Sequence, residues 1–277
     1  MVDLHVHSTA SDGTYTPSEL VTYAVEKGLT AFALTDHDTI SGLEEAIKAA
    51  SVYDIEVIPG IEFSTEYNGK DIHIVGLNID YKNPFFVAKL EQFINSRDMR
   101  NEKMCKLLTN MGMPITLTEL SECFPDSVIT RAHIARFLLE HNYISKLETA
   151  FDKYIGDNCP CYVPREKVNP VQAIKLIHEA KGIPVLAHPP LYKLSPKDLE
   201  NLVAHLSSHG LLGIEAIYST YNRADETQMR LLAKRYQLGI SGGSDFHGKN
   251  KPYIDLGVGR GNLKIPDEVW ENLKEKV

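Results

Sequence analysis

Two histidines near the start of the chain have the residue type and the spacing of a pair of metal ligands. His5 and His7 lie in the segment MVDLHVHSTASDG, and Asp12 follows five residues later. The segment from Val2 to His7 predicts a short strand, on which residues two apart project from the same face. The two imidazoles are therefore expected to point together, either as ligands of one metal ion or as ordinary polar residues at a sheet edge.

Further along the chain, nearly every apolar strand that the sequence predicts ends in an imidazole or a carboxylate. The strand AFALTDHD ends with Asp36, His37 and Asp38, and the strand GISGGSDFHG ends with Asp245 and His247. One such residue each lies in VIPGIEFS (Glu62), DIHIVGL (His73), PVLAHPP (His188) and GIEAIYS (Glu215). A single histidine at a strand end is more often a surface or core residue than a ligand. In parallel α/β folds, however, the carboxyl ends of the strands build the site, so this repeated pattern predicts that these side chains converge.

The elements that carry these residues alternate between strand and helix. The segment TPSELVTYAVEKG predicts a helix with Thr16 as N-cap, Pro17 in its first turn and Gly28 at its end. Strand and helix alternate in the same way from about residue 170 onwards. This pattern favours parallel strands in either a barrel or an open, doubly wound sheet.

The middle of the chain follows a different pattern, because its apolar residues recur with helical spacing from about Asn83 to Tyr162. We interpret residues 83–162 as a helical insertion or cap domain. Residues 1–82 and 163–277 would then form the α/β body, with the cap close to a site at its strand ends.

The composition limits the classes of function. The chain has 277 residues, of which 43% are hydrophobic and 24% charged, as in ordinary globular proteins. A net charge of −8 argues against an extended surface for duplex nucleic acid but permits a small basic pocket. The sequence shows no secretion signal and no apolar run long enough to span a membrane, so we expect a cytoplasmic protein.

The cysteines do not predict a disulfide framework, because they are few and irregularly spaced. They are Cys105, Cys123, Cys159 and Cys161. We interpret Cys159-Pro160-Cys161 as two reduced thiols in a turn rather than as a redox or metal site.

The side chains at the strand ends have the ligand chemistry of divalent ions such as zinc, manganese or iron. The candidate ligands are six histidines, two aspartates and one glutamate: His5, His7, His37, His73, His188, His247, Asp12, Asp245 and Glu62. Carboxylates can bridge two ions, and the absence of cysteine from the set argues against a closed structural zinc site. The pattern therefore indicates a catalytic metal cluster with open coordination positions.

Several separated motifs, in order, resemble those of the PHP (polymerase and histidinol phosphatase) family: DLHVHSTASDGTYTP, ALTDHDTISG, VIPGIEFS, DIHIVGL, AHP and GGSDFHG. The resemblance covers residues 1–79 and about 170–260. It implies a distorted seven-stranded (β/α) barrel, TIM-like in form, with two or three metal ions at the strand ends.

The same resemblance implies which residues share each ion. One ion would be held by His5, His7, Glu62 and Asp245. Glu62 would bridge to a second ion on His73 and His188, and a third would lie on Asp12, His37 and His247. Many family members have histidine at the position of Asp12, and a carboxylate there favours manganese, iron or magnesium over zinc.

The chemistry implied by such a cluster is hydrolysis of a phosphate ester, in which the ions generate a bridging hydroxide and neutralise the developing charge. Asp36 or His247 could assist proton transfer to the leaving oxygen. The segment SGGSDFHG lacks the lysine of a phosphate-binding P-loop. We instead expect Gly242 and Gly243 to allow a tight turn beside the metals.

The insertion is expected to supply contacts to the substrate phosphate. The segments ITRAHIARF and YVPREK resemble those of PHP members that act on nucleotides and short RNA ends, and they place Arg131, His133 and Arg165 as candidate contacts. Arg136 is expected to pair with a surface carboxylate instead. Lys249 and Tyr221 are expected to lie near the site.

The function that these observations favour is a metal-dependent phosphoesterase. Its substrate would be a nucleoside 3′,5′-bisphosphate, a nucleoside monophosphate or a short 5′-phosphorylated oligoribonucleotide. Histidinol-phosphate phosphatase is the main alternative. A polymerase-type exonuclease module and a non-catalytic, metal-stabilised binding protein are weaker alternatives.

Overall fold

The strands of the protein form one sheet that closes almost completely on itself. A computed structural model of the chain describes residues 1–125, 127–164 and 168–276. In these ranges seven strands pair in chain order: β1 (Val2–Val6), β2 (Ala31–Leu34), β3 (Glu56–Tyr67), β4 (Lys70–Leu77), β5 (Ile183–Leu186), β6 (Gly213–Tyr218) and β7 (Gly239–Gly243). The N–H of His7 donates to the carbonyl oxygen of Phe246 at 3.0 Å, and the N–H of Asp245 donates to that of His5 at 2.9 Å. The predicted distorted, TIM-like barrel is therefore confirmed.

Helices fill most of the connections between the strands. They are α1 (Pro17–Glu26), α2 (Leu43–Ala50), α3 (Pro84–Asn110), α4 (Leu117–Cys123), α5 (Arg131–Glu140), α6 (Leu147–Ala150), α7 (Pro170–Glu179), α8 (Pro196–Ser207), α9 (Arg223–Arg235) and α10 (Asp267–Lys274). As predicted, Thr16 caps α1 in a capping box with Glu19, and Gly28 follows its end with a φ of 69°. Among the residues that the structure covers, no helix is long and apolar enough to cross a membrane.

Strand β4 departs from the parallel arrangement that the sequence favours. It runs antiparallel to both of its neighbours, β3 and β5. The cause is the two-residue turn Asn68–Gly69 after β3, where φ is 51° and 75°, as in a tight β-hairpin. Because β4 is reversed, its first half lies beside the carboxyl-terminal half of β3, and this is where His73 pairs with Ser64.

Three clusters of buried apolar side chains stabilise these elements. The largest packs the strands against the surrounding helices, and a second packs β1, β2, β4 and β5 against Trp270 and Leu273 of α10. The third lies wholly between Met104 and Cys161. In the described part of residues 83–162 there are helices and no strands, and α3 begins on the barrel cluster and ends in the third cluster.

Candidate metal centre

The side chains predicted as metal ligands lie together at one end of the barrel. Four overlapping groups occur in the described residues, and the ligand atoms within each group lie within 4.8 Å of one another. The groups are His7, Asp12, His37 and His247; His5, His7 and Asp245; His5, Glu62 and His188; and His37, Glu62 and His73. Together they contain all nine candidate ligands, carried by β1, β3, β4 and the segments that follow β1, β2, β5 and β7.

Glu62 lies at the centre of the cluster and is buried. Its Oε1 is 2.8 Å from Nδ1 of His73 and 3.0 Å from Nε2 of His188. Its Oε2 lies 3.2 Å, 3.2 Å and 3.0 Å from a ring nitrogen of three further histidines, namely His5, His7 and His37. The two oxygens of one carboxylate thus face two different sets of imidazoles, which is the geometry of a bridging ligand.

Asp12 faces a third set of imidazoles. Its Oδ1 lies 3.2 Å from Nε2 of His247 and 3.9 Å from Nε2 of His37. The Nδ1 of His247 is 2.9 Å from the carbonyl oxygen of Asp245, which leaves its Nε2 to face Asp12. Asp12, His37 and His247 thus fall in one group together with His7, whereas His73 and His188 fall in two different groups that share Glu62.

Asp245 presents only one of its oxygens to the cluster. Its Oδ1 lies 3.3 Å from Nε2 of His7 and 3.3 Å from Nδ1 of His247. Its Oδ2 accepts hydrogen bonds from the hydroxyl of Tyr218 at 2.6 Å and the ammonium of Lys251 at 2.5 Å. The sequence analysis did not single out Tyr218 and Lys251, which fix the carboxylate in this orientation.

The cluster fits divalent cations because it contains buried ligand atoms that lack hydrogen-bond partners. In the described residues these atoms include Oδ1 of Asp12, Nδ1 of His37 and Oε2 of Glu62. Such atoms are rare in folded proteins unless a ligand or an ion satisfies them. The Nε2 atoms of His5 and His7 are 3.1 Å apart. Two nitrogens bound to one ion at about 2.1 Å and a tetrahedral angle would lie roughly 3.4 Å apart.

The electrostatic environment keeps the carboxylates ionised. Burial raises the pKa of Glu62, but the imidazoles of His5, His37 and His73 outweigh it and hold that pKa well below its usual range. Burial also raises the pKa of Asp12, but the neighbouring histidines outweigh this effect and hold that pKa well below its usual range. Ionised carboxylates are the form that binds divalent cations.

Asp36, a candidate for proton transfer, lies outside the four groups of described ligands. Its Oδ1 accepts hydrogen bonds from the backbone N–H of Ser8 at 2.8 Å and from the hydroxyl of Ser11 at 2.5 Å, and its Oδ2 accepts one from the hydroxyl of Ser8 at 2.6 Å. Burial raises the pKa of Asp36, although these hydrogen bonds oppose it. The contacts of Asp36 position the loop that leads to Asp12.

The glycines before Asp245 serve a purpose different from the expected tight turn. Gly242 and Gly243 are the last two residues of strand β7. A Cβ atom on Gly243 would collide with the backbone and Cβ of His5, so glycine is needed here for close approach of β7 to β1. This contact brings the residues after β7 next to the histidines of β1.

Arginines from the helical region lie beside the cluster. A cavity of about 200 Å³ is lined by the candidate ligands Asp12, His37 and His73 together with Arg97, Arg100 and Arg131. Arg97 and Arg100 are buried, and they were missed by the sequence analysis. Their spacing in SRDMR, three residues apart on one helix face, was the only signal for them.

Arg97 and Arg131 are held by carboxylates of the barrel and the helical region. Arg131, which was predicted, contacts Asp71 at 2.6 Å and Asp157 at 3.0 Å. Arg97 pairs with Asp38 and lies 3.1 Å from the hydroxyl of Ser64. These contacts orient the guanidinium groups before any substrate is present.

His133 caps helix α5 and lies apart from the cavity that contains the arginines. Its Nδ1 accepts a hydrogen bond from the backbone N–H of Thr130 at 3.1 Å and completes the capping box of α5. Burial lowers the pKa of His133 to about 4, so its imidazole is neutral. It lines a larger cleft of about 750 Å³ instead of the cavity that contains Arg131.

Three further residues, Arg136, Tyr221 and Lys249, were considered in the sequence analysis, and Tyr221 lines neither of these two spaces. Arg165 lies outside the described residues. Arg136 pairs with Glu140 at 2.8 Å, as predicted for a surface arginine. The hydroxyl of Tyr221 donates to the carbonyl oxygen of Glu215 at 3.4 Å, and Lys249 lines the larger cleft.

Comparisons with known proteins agree with this geometry. The PHP domain matches residues 3–240. A 5′-3′ exoribonuclease Rnm from Escherichia coli is 38% identical over 257 residues, which cover 92% of this chain and 87% of the relative. A 3′,5′-nucleoside bisphosphate phosphatase from Chromobacterium violaceum is 32% identical over 277 residues, 100% of this chain and 97% of the relative. A solved structure from Bifidobacterium adolescentis, described as a metal-dependent phosphoesterase, has a TM-score of 0.86 at 26% identity and covers 99% of this chain and 96% of that chain.

Proposed function

The chain belongs to the PHP domain family and is a metal-dependent phosphoesterase, and we propose that it hydrolyses the ester bond between phosphorus and the 3′ oxygen of nucleotides that carry a 5′-phosphate. Nucleoside 3′,5′-bisphosphates and short 5′-phosphorylated oligoribonucleotides are the substrates that fit this description. The relatives named above process nucleotides, and this disfavours histidinol phosphate as the substrate.

One observation carries the proposal: the cavity of about 200 Å³ is shared by candidate metal ligands and arginines. Its volume is below the roughly 300–1,000 Å³ of pockets that enclose a drug-sized ligand, and it suits a smaller group such as phosphate. Arginine binds phosphate through paired hydrogen bonds from its planar guanidinium group. We assign the 5′-phosphate to Arg97, Arg100 and Arg131, and the scissile phosphate to the metal cluster beside them.

We propose that the cluster holds three divalent ions of manganese, zinc or iron. The ligands of the first would be His5, His7, Glu62 and Asp245, those of the second Glu62, His73 and His188, and those of the third Asp12, His37 and His247. The carboxylate of Asp12 makes the third site the one most suited to a harder ion, including magnesium. When bound, such ions act as Lewis acids on phosphoryl oxygens and lower the pKa of water.

The residues around the cluster have distinct roles in this proposal. His247 would serve as a ligand through Nε2, which faces Asp12, because its Nδ1 is engaged by the backbone carbonyl of Asp245. Asp36 positions the loop of Asp12 through Ser8 and Ser11. The arginines fix the far end of the substrate, so that the ester bond to be broken lies at the ions.

We further propose that residues 83–162 form a cap domain on a barrel made of residues 1–82 and 163–277. The separate apolar cluster between Met104 and Cys161 supports this division. The cap would supply Arg97, Arg100 and Arg131, while the barrel would supply the metal ligands. Substrate recognition and catalysis would then belong to different parts of the chain.

The proposal is tested by phosphate release from four compounds in the presence of manganese: adenosine 3′,5′-bisphosphate, AMP, a short 5′-phosphorylated RNA and histidinol phosphate. We expect release from the bisphosphate, nucleotide products from the RNA, and no release from histidinol phosphate. Release from histidinol phosphate alone would overturn the proposal. The metal-stripped enzyme serves as the control for contaminating phosphatases.

A further inference from the structure

A second and larger cleft lies next to the metal centre. Its volume is about 750 Å³, and it runs between the loop after β1, the start of α2 and the helices α4 and α5. This volume is within the range of roughly 300–1,000 Å³ that is typical of ligand-binding pockets. The proposed function, which places the substrate in the smaller cavity, gives this cleft no role.

The cleft and the smaller cavity lie on two sides of Asp12. The carboxylate of Asp12 lines the smaller cavity. The neighbouring Gly13 lines the cleft, as does Asn250, whose side-chain amide donates to the carbonyl oxygen of Asp12 at 2.7 Å. The cleft therefore begins within one residue of a candidate metal ligand.

The cleft contains an unpaired positive charge close to the metal centre. Lys249 is exposed and follows the candidate ligand His247 by two residues. Its backbone N–H donates to the hydroxyl of Thr14 at 2.9 Å, which fixes its main chain at the cleft wall. Within the described residues, its ammonium group has no hydrogen bond or ion pair.

The carboxylates of the cleft are already engaged. Glu45 accepts hydrogen bonds from the backbone N–H and the hydroxyl of Ser18, at 3.0 and 2.6 Å. Glu140 pairs with Arg136 at 2.8 Å. The hydrogen bonds from Ser18 fix Glu45 without neutralising it, and among the described residues that line the cleft Lys249 is the cation without a carboxylate partner.

The cleft also offers flat surfaces to a ligand. The ring of Phe124 covers the buried His133, with 4.5 Å between centroids, and the guanidinium group of Arg136 lies 5.5 Å from the centroid of Phe124. The surfaces open to a ligand are therefore those of the partly exposed Phe124 and Arg136. Aromatic rings and guanidinium planes are the surfaces on which unpaired bases stack. A cation for phosphate next to flat surfaces for bases is the usual composition of a groove for single-stranded nucleic acid.

We propose that this cleft binds the part of an oligoribonucleotide that follows the scissile phosphate. The inference rests on the proposed function and extends it. A nucleoside 3′,5′-bisphosphate would leave the cleft empty, whereas a 5′-phosphorylated oligoribonucleotide would place its next nucleotides there, with a phosphate at Lys249.

The same bond breaks in both substrates. Water adds its oxygen to phosphorus, the bond between phosphorus and the 3′ oxygen breaks, and that oxygen takes up a proton to become a hydroxyl group. The bisphosphate yields a nucleoside 5′-phosphate and inorganic phosphate. The oligoribonucleotide yields a nucleoside 5′-phosphate and a shorter chain with a new 5′-phosphate, which is again a substrate.

The test compares wild-type enzyme with Lys249→Met on two substrates, adenosine 3′,5′-bisphosphate and the 5′-phosphorylated trinucleotide pApApA. Loss of one exposed cation–phosphate contact should lower kcat/KM on the trinucleotide by about fivefold through a higher KM. It should also reduce the slope of log kcat/KM against log salt concentration by about 0.7. Hydrolysis of the bisphosphate should keep its rate and its salt dependence.

Lys264→Met is the matched control, since Lys264 is an exposed lysine outside both spaces and should leave both substrates unaffected. If the wild type hydrolyses both substrates and Lys249→Met changes neither, or both equally, the cleft does not bind the chain, although the proposed function stands. If the wild type hydrolyses neither substrate, the proposed function fails and the inference fails with it.

Discussion

The carboxylate of Glu215 lies 3.1 Å from Nδ1 of His5, and both side chains are buried. Because an ionised carboxylate only accepts hydrogen bonds, this contact requires the proton of the imidazole to be on Nδ1. The lone pair is then on Nε2, the nitrogen that faces Glu62 and His7. The second oxygen of Glu215 accepts from the backbone N–H of His188 at 2.7 Å, so one carboxylate orients two candidate ligands.

Replacing Glu215 should therefore weaken metal binding without removing a ligand. We expect Glu215→Gln to lower the affinity of the metal-free protein for manganese or zinc by about ten- to hundredfold, since partners of this kind tune ligand basicity and orientation. Titration calorimetry of the metal-free protein measures the effect. Glu200→Gln, which removes a surface partner of Arg235, is the control, and equal affinities in the two variants would contradict the role of Glu215.

His5→Ala should abolish turnover and leave the fold largely intact. His5 is a candidate ligand shared by two of the groups, so its loss should exceed the roughly hundredfold effect of an orienting residue. The measurements are phosphate release and the circular dichroism spectrum. His209→Ala, at an exposed position after α8, should behave as wild type in both. Loss of all folded structure in His5→Ala would mean that the metals are structural.

A surface ion pair should make stability depend on pH in a defined direction. The ammonium of Lys27 and the hydroxyl of Tyr23 lie 2.5 and 2.6 Å from the two oxygens of Asp255. Partial burial of Asp255 raises its pKa, but these two hydrogen bonds outweigh burial and lower the pKa below 3.8. A carboxyl with a lowered pKa in the folded state stabilises the protein above its unfolded pKa, and this stabilisation is lost as pH falls through the folded pKa.

The difference in free energy of unfolding between wild type and Lys27→Met isolates this contribution. We expect a difference below about 1 kcal/mol near pH 6, because both side chains are partly exposed, and a progressively smaller difference as the pH falls below 3.8. Urea unfolding of the metal-free proteins measures it without interference from metal loss. A difference that grows towards low pH would contradict the assignment.

The part of the site that could be predicted from the sequence is the part that strand ends determine. Each candidate ligand lies in a strand or in the segment that follows one, and the closed order of the strands brings such positions together. His73 was correctly expected near the other ligands even though strand β4, which carries it, runs antiparallel instead of parallel. The turn Asn68–Gly69 did signal an antiparallel hairpin, but the regular alternation of strands and helices favoured a parallel one.

Residues that reach the site from the helical region could not be predicted in the same way. Arg97 and Arg100 lie in the middle of α3, and their position depends on how α3 crosses from the barrel to the separate apolar cluster. The path of α3 depends on tertiary contacts, which leave no local pattern in the sequence. The capping role of His133 was also not predicted, although its spacing from Thr130 is that of a capping box.

The buried arginines lead to a prediction that separates the two ends of the substrate. Loss of Arg100 should remove charge-assisted hydrogen bonds to the 5′-phosphate, which are worth about 1.5–3 kcal/mol. We therefore expect Arg100→Met to lower kcat/KM for adenosine 3′,5′-bisphosphate by roughly ten- to hundredfold. Adenosine 3′-monophosphate lacks the 5′-phosphate, so wild type and variant should hydrolyse it at similar, low rates.

Arg100→Lys distinguishes recognition of phosphate from a general effect of charge. A lysine keeps the positive charge but cannot form the paired hydrogen bonds of a guanidinium group. The kcat/KM of Arg100→Lys on the bisphosphate should therefore fall between the values of wild type and Arg100→Met. Steady-state kinetics on the two substrates with the three proteins measure this. If Arg100→Met slows both substrates equally, Arg100 acts at the metal cluster rather than at the 5′-phosphate, because only contacts to the missing group can discriminate between the substrates.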